Sequence, residues 1–149
     1  YTTTMRDHAI IVGYGRVGSI IGETLAGAGV PFVAVEQDRL AFERLREQGV
    51  PVLYGNAARA IVLAPAHPER ARLLLVAAPD PFQARAIVEI ARRANPAIET
   101  VVRTHSDEEQ AYLERNGMGT AVMGERELAR AMASRALEIC GTASTTQRV

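Results

Sequence analysis

Three glycines in the segment Gly13-Tyr14-Gly15-Arg16-Val17-Gly18 are spaced as a cradle for a nucleotide phosphate needs them. Gly13 can make the tight turn, Gly15 has no side chain to keep a phosphate from the backbone, and Gly18 lets a following helix pack closely on the preceding strand. The first amides of that helix, unpaired and at the positive end of its dipole, then point at the anion. Arg16, inside the motif, adds a guanidinium able to clamp a phosphate with two parallel hydrogen bonds. Glu36 ends the next apolar run, eighteen residues after Gly18. A carboxylate there accepts hydrogen bonds from both ribose hydroxyls and repels a 2′-phosphate, which favours NAD(H), AMP or ATP over NADP. Gln37 belongs to the same rim.

Further candidates end the other apolar runs. Gly55 and Asn56 close the third, and Asn56 either touches adenine or ribose or caps a short helix. Ala77 and Ala78 close the fourth with side chains small enough to leave room for a ligand, and Asp80 behind them reads as a helix cap. Arg103 ends the fifth, where it faces a phosphate or pairs with an acid of a partner subunit. His8, His67 and His105 are scattered and Cys140 stands alone, so no zinc spacing occurs and no nucleophile has a base beside it. His105 reads as structural and Cys140 as a small apolar residue.

These residues need a frame of strands and helices, and the hydrophobic periodicity supplies one. His8 to Val12 is a strand, and Val17, Ile20, Ile21 and Leu25 recur at helical spacing until Gly29. Pro31 to Glu36 is a strand without a wet face, followed by a helix from the cap Asp38 to Gln48, stopped at Gly49. Val52 to Tyr54 is a third strand, Asn56 caps a brief helix to Leu63, and Pro65 to Pro68 reads as an exposed loop. Leu73 to Ala77 is a fourth strand, and Pro81 to Asn95 a helix with Phe82, Ala86, Ile90 and Ala94 on one face. Thr100 to Arg103, a helix from Asp107 to Asn116 ended at Gly117, the strand Ala121 to Met123 and a last helix from Glu125 to about Ile139 complete the pattern. Buried strands alternating with amphipathic helices predict an α/β fold. The expected form is a doubly wound, parallel, six-stranded sheet of the Rossmann type, with strand order 3-2-1-4-5-6.

Composition narrows the function. The 149 residues, 48% hydrophobic, suffice for one core and not two, and seventeen basic against seventeen acidic residues leave no charge footprint for nucleic acid. No apolar run approaches the ~20 residues of a membrane span. The expected organisation is a disordered or appended segment 1–6, a nucleotide-binding domain 7–139 and a flexible tail 140–149. The opening Tyr1-Thr-Thr-Thr-Met5 and the polar end suggest a piece of something longer.

Together with Gly55-Asn56-Ala57, Thr104-His-Ser-Asp107 and Val122-Met-Gly-Glu-Arg-Glu-Leu-Ala129, the glycine motif resembles the TrkA-N family, also called the RCK N-terminal or KTN domain. Within it the likeness is to the C-terminal cytoplasmic part of KefC/YbaL-like monovalent cation:proton antiporters, over about residues 7 to 139. The resemblance implies a regulatory domain on the cytoplasmic face of the inner (plasma) membrane that gates a potassium or other monovalent cation transporter, antiporter or channel. It also implies an adenine nucleotide, NAD(H) or AMP/ATP, as ligand, a homodimer formed through the last helix, and a transmembrane portion of the parent chain as partner. Ala57 enters the binding set on this ground.

Two other functions compete. A fragment of an NAD-dependent oxidoreductase would need a substrate site and an acid/base group, yet the nucleotide fold consumes the whole length. An inert dimerisation module would bind no nucleotide. The dimer itself is also suggested by the last helix, where Leu128, Ala131, Met132, Ala136 and Ile139 form one apolar stripe and Ala129, Ala133, Leu137 and Cys140 a second beside it. One sheet cannot cover both.

Overall fold

The computed structural model describes residues 4–78 and 81–141, with only the backbone of 81 and 82. Six parallel strands, β1 (Ala9–Val12), β2 (Phe32–Glu36), β3 (Val52–Tyr54), β4 (Leu73–Val76), β5 (Glu99–Thr104) and β6 (Thr120–Met123), form one sheet in the order β3-β2-β1-β4-β5-β6. This is the expected Rossmann order. The chain leaves β1 to build one half of the sheet and crosses to β4 to build the other, so a crevice opens at the carboxyl ends of β1 and β4. The helices are α1 (Arg16–Gly27), α2 (Arg39–Glu47), α3 (Ala60–Leu63), α4 (Pro81–Ala94), α5 (Asp107–Arg115) and α6 (Gly124–Cys140).

Alternate residues of the strands feed two cores. Ile10, Val12, Val33, Val35, Leu74, Val76 and Val102 meet Leu63, Ile87, Val88 and Leu113 on the side of α4 and α5. Ala9, Ile11, Phe32 and Ala34 meet Tyr14, Ile21, Leu25 and Leu45 on the side of α1 and α2. In the β4–β6 half the two sides differ. Leu74, Val76, Val102 and Ala121 are buried, whereas Leu75, Val101 and Val122, which face the α1 side, are only half-buried. No helix of the described chain lies over them. Helix α6, which follows β6, is exposed along its whole length, with Met132 64% and Ile139 71% accessible.

Several expectations need correction. Asp38 occupies the position before α2 but its side chain makes no capping bond. Helix α3 starts only at Ala60, because Asn56 Oδ1 accepts the Ala58 N–H and holds a turn instead of a helix. The Pro65 to Pro68 stretch is not an exposed loop. It forms two 3₁₀ turns, Ala64–Ala66 and Pro68–Arg70, joined at a left-handed His67, with Ala66 and Pro68 buried. Two polar side chains hold it: the half-buried Asn95 donates through Nδ2 to the Pro68 and Ala71 carbonyls, and the ring of His8, fully buried, bonds the Ala66 carbonyl through Nε2 at 2.7 Å. Helix α4 buries Ala84, Ile87, Val88 and Ala91, while Ala86 and Ile90 are half-buried and Ala94 is exposed. Alanines had blurred the stripe, and the branched Ile87 and Val88, with more apolar area to bury, set the true face. The side chain of Phe82 and all of Asp80 lie outside the described residues, as do 1–3 and 142–149.

Candidate functional site

The glycine motif sits between β1 and α1, and each of its glycines meets a different constraint. Gly13 has φ +87°, and a Cβ there would stand 2.9 Å from the Ala78 nitrogen, so both turn and neighbour exclude a side chain. At Gly18 a Cβ would overlap the carbonyl oxygen of Gly13, which is the close approach of helix to strand. Gly15 differs. No protein atom lies within 4 Å of where its Cβ would be, so packing does not demand a glycine at this position. The space it leaves open lies at the N-terminus of α1, whose N-cap is Gly15 itself and carries no side-chain bond to the first amides.

Glu36 closes the second wall. Its Oε1 accepts the backbone N–H of Tyr14 at 3.0 Å and its Oε2 that of Asp38 at 2.9 Å. A carboxylate has about four lone-pair sites, so two remain for hydroxyl donors. The backbone completes the frame: Gly13 N–H donates to the Val35 carbonyl, Gly55 N–H to the Glu36 carbonyl and Ala77 N–H to the Val12 carbonyl, at 2.9 to 3.0 Å.

One crevice gathers Gly13, Gly15, Arg16, Val17, Gly18, Glu36, Gln37, Gly55, Asn56, Ala57, Ala77, Ala78 and Arg103. Every residue expected from the sequence to bind the nucleotide lines it except Tyr14. The ring of Tyr14 is turned away, 8% exposed and stacked on Phe32, and burial pushes its phenol pKa up. Four lining residues were missed: Val12, Val35, Gln83 and Ile87. The first two are the ends of strands already assigned, and Gln83 and Ile87 belong to the helix that must start above Ala77 and Ala78. Two guanidiniums, Arg16 and Arg103, and the positive end of α1 face a single carboxylate, which suits an anionic ligand carrying hydroxyls. Arg103 is held in place by donating to the Ala77 carbonyl at 3.3 Å.

A second, apolar groove of about 540 Å³ adjoins the crevice over the uncovered half of the sheet. Val17, Ile21, Leu75, Val101, Val122 and Leu128 supply its walls, and Ala77 and Arg103 belong to both spaces. His105 lines this groove and not the crevice, and Cys140 is exposed at the end of α6. Among the described residues no group of three His, Cys, Asp or Glu is placed to hold a metal, and no helix is long and apolar enough to cross a membrane.

Comparison with known proteins gives the same architecture a lineage. The family model of the TrkA-N domain matches residues 9–124. The putative cation/proton antiporter YbaL of Escherichia coli K12 is 45% identical over 126 residues, which are 85% of this chain and 23% of that protein. The chain therefore spans under a quarter of its relative's length. The solved TrkA-N domain of the Escherichia coli inner membrane protein ybaL superposes with a TM-score of 0.83 at 43% identity, over 89% of this chain and 98% of that one. The Kef C-terminal domain of Shewanella denitrificans in its AMP-bound form superposes with a TM-score of 0.78 at 28% identity, over 92% and 83%.

Proposed function

From the premise that this chain belongs to the TrkA-N domain family, we propose that it is the cytoplasmic regulatory domain of a monovalent cation transporter, potassium among the candidate ions, and that it binds an adenine nucleotide in the crevice at the head of α1. One observation carries the reading: the open space over Gly15 lies at the uncapped N-terminus of α1, and Glu36, with two free lone-pair sites, stands across from it. A phosphate fits the first and a ribose the second. The AMP-bound Kef domain supports AMP as one such ligand, with ATP and NAD(H) the other candidates. The domain performs no reaction on the nucleotide. Binding energy instead shifts the arrangement of two subunits and through them a transmembrane partner at the inner membrane.

The same reading makes the protein a homodimer. Helix α6 exposes Leu128, Met132, Leu137 and Ile139, and the groove between α1 and the uncovered half-sheet is apolar. A second copy's α6 supplies the matching surface, and two-fold symmetry buries both grooves at once. Native mass spectrometry of the purified, unheated protein tests both parts. The expected species is a dimer carrying one adenine nucleotide per chain, and a ligand-free monomer that takes up no AMP, ATP or NADH when these are added refutes them. Saturable oxidation of NADH dependent on a small-molecule substrate would refute the absence of catalysis.

A further inference from the structure

Tyr14 occupies a position of the glycine motif for which phosphate binding needs no particular side chain, yet it is one of the most constrained residues of the loop. Its ring is buried in the seam between α1 and β2, parallel to Phe32 with centroids 6.0 Å apart and planes 13° from one another. On its other side lies the buried Gly22 of α1. A Cβ at Gly22 would overlap the Tyr14 hydroxyl and stand 2.7 Å from ring atoms Cε1 and Cζ, so the helix is glycine there because the ring needs the room. The backbone N–H of the same Tyr14 holds Oε1 of Glu36 at 3.0 Å.

We infer that Tyr14 is a positioning residue for ribose recognition: its ring, wedged between Phe32 and Gly22, fixes the peptide N–H that aims the Glu36 carboxylate into the crevice. The inference rests on the nucleotide-binding reading and extends it to the control of that one contact. Glu36 has two restraints, the Asp38 N–H from its own strand end and the Tyr14 N–H from the neighbouring loop. The first moves with Glu36 itself. The second ties the carboxylate to the loop that carries the phosphate site, so the spacing between phosphate and ribose subsites depends on where Tyr14 is held. Loss of the ring releases that peptide and lets the carboxylate rotate, while the amides of α1 keep their places. Binding through the phosphate then persists, and discrimination by the ribose hydroxyls is lost.

Calorimetric titration with AMP and with 2′-deoxy-AMP separates the two effects. The protein is expected to prefer AMP by about tenfold, the loss of one hydrogen bond to a carboxylate. Tyr14→Phe keeps the ring and should keep the preference. Tyr14→Leu, which retains apolar bulk without the stacked plane, and Gly22→Ala, which displaces the ring from outside the crevice, should both bring the preference to about twofold or less, because AMP loses the bonds of both ribose hydroxyls whereas 2′-deoxy-AMP loses only that of its 3′-hydroxyl. Tyr14→Leu and Gly22→Ala provide independent routes, so one misfolded variant does not decide the matter. A residue that merely stabilises the fold would weaken both ligands alike and leave their ratio unchanged, which would overturn the inference, as would an unmodified protein that binds both nucleotides equally. If the unmodified protein binds neither, the nucleotide reading itself fails.

Discussion

Replacing Gly15 by alanine separates binding from folding more cleanly than any other change in the glycine motif. The added methyl meets no protein atom within 4 Å, so the unfolding free energy should stay within about 1 kcal/mol of the parent. The methyl does occupy the space at the head of α1 that we assign to the phosphate. Pushing the anion away by a methyl's depth weakens at least one charge-assisted hydrogen bond, worth about 1.5–3 kcal/mol, or roughly 10–100-fold in Kd. Thermal unfolding with and without AMP reads both quantities. At a hundred times the parent Kd, AMP should stabilise the parent by about 2.7 kcal/mol, whereas a variant weakened 10- to 100-fold retains only about 1.4 to 0.4 kcal/mol. Gly18→Ala is the internal contrast. Its Cβ would overlap the Gly13 carbonyl oxygen and stand 3.0 Å from the carbonyl carbon, so backbone must move and about 1–3 kcal/mol of stability is lost before any ligand is added. If Gly15→Ala binds AMP as tightly as the parent, the assignment of that open space to a phosphate is wrong.

Three further outcomes follow from the same geometry. Glu36→Ala removes the acceptor of the proposed ribose bonds and of the Tyr14 and Asp38 amides, so calorimetry should show AMP weakened by roughly 10–100-fold and the preference for NAD+ over NADP+ narrowed. The buried His8 has its pKa lowered from 6.5, first by desolvation and then by Arg70 and His67, against the Ala66 hydrogen bond and Glu69, which raise it. The unfolded chain therefore binds the proton more readily, and stability that is complete above about pH 6.5 should fall as the pH drops below it; chemical denaturation should show this slope flattened in His8→Gln. Met132→Glu places a charge on the exposed face of α6 outside the crevice, and light scattering after size exclusion at tens of micromolar should find a dimer for the parent and a monomer for the variant, since a charge buried unpaired in the proposed interface costs several kcal/mol.

What could be read from the sequence follows the physics of each feature. Strand ends were legible because β1, β2 and β4 are apolar on both faces and stop sharply at Gly13, Glu36 and Ala77, and in a parallel sheet all their carboxyl ends share one rim. The crevice residues came with that rim. Tyr14 escaped because a loop residue between strand and helix obeys neither period, so nothing in its spacing shows whether it faces the ligand or the core. Its partners did leave a trace: Gly22, a second small residue on α1 four positions after Gly18, has no role in the phosphate motif and marks where a large ring must lie. Gln83 and Ile87 were recoverable from topology, since a helix following β4 on the α4 side has to begin over the crevice. The Pro65 to Pro68 turns were not, because their burial depends on His8 and Asn95, donors far away in sequence whose side chains replace the missing regular hydrogen bonds.

Arg103 shows where local reading and tertiary structure meet. From the sequence it faces either a phosphate or an acid of a partner subunit. In β5 it shares a side with Val101, toward the uncovered half-sheet, yet its guanidinium reaches the Ala77 carbonyl at the tip of β4 and so also lines the crevice. The crevice and the groove therefore meet at this one residue. In the proposed dimer a helix seated in the groove covers the stem of Arg103, while a nucleotide in the crevice draws on its charge. Ala77 and Val17 form the rest of the shared wall and are too small to insulate one space from the other. If the proposed nucleotide and the proposed partner helix both act on this side chain, any preference Arg103 has for one arrangement when nucleotide is bound must appear, by reciprocity, as a dependence of nucleotide affinity on subunit contact.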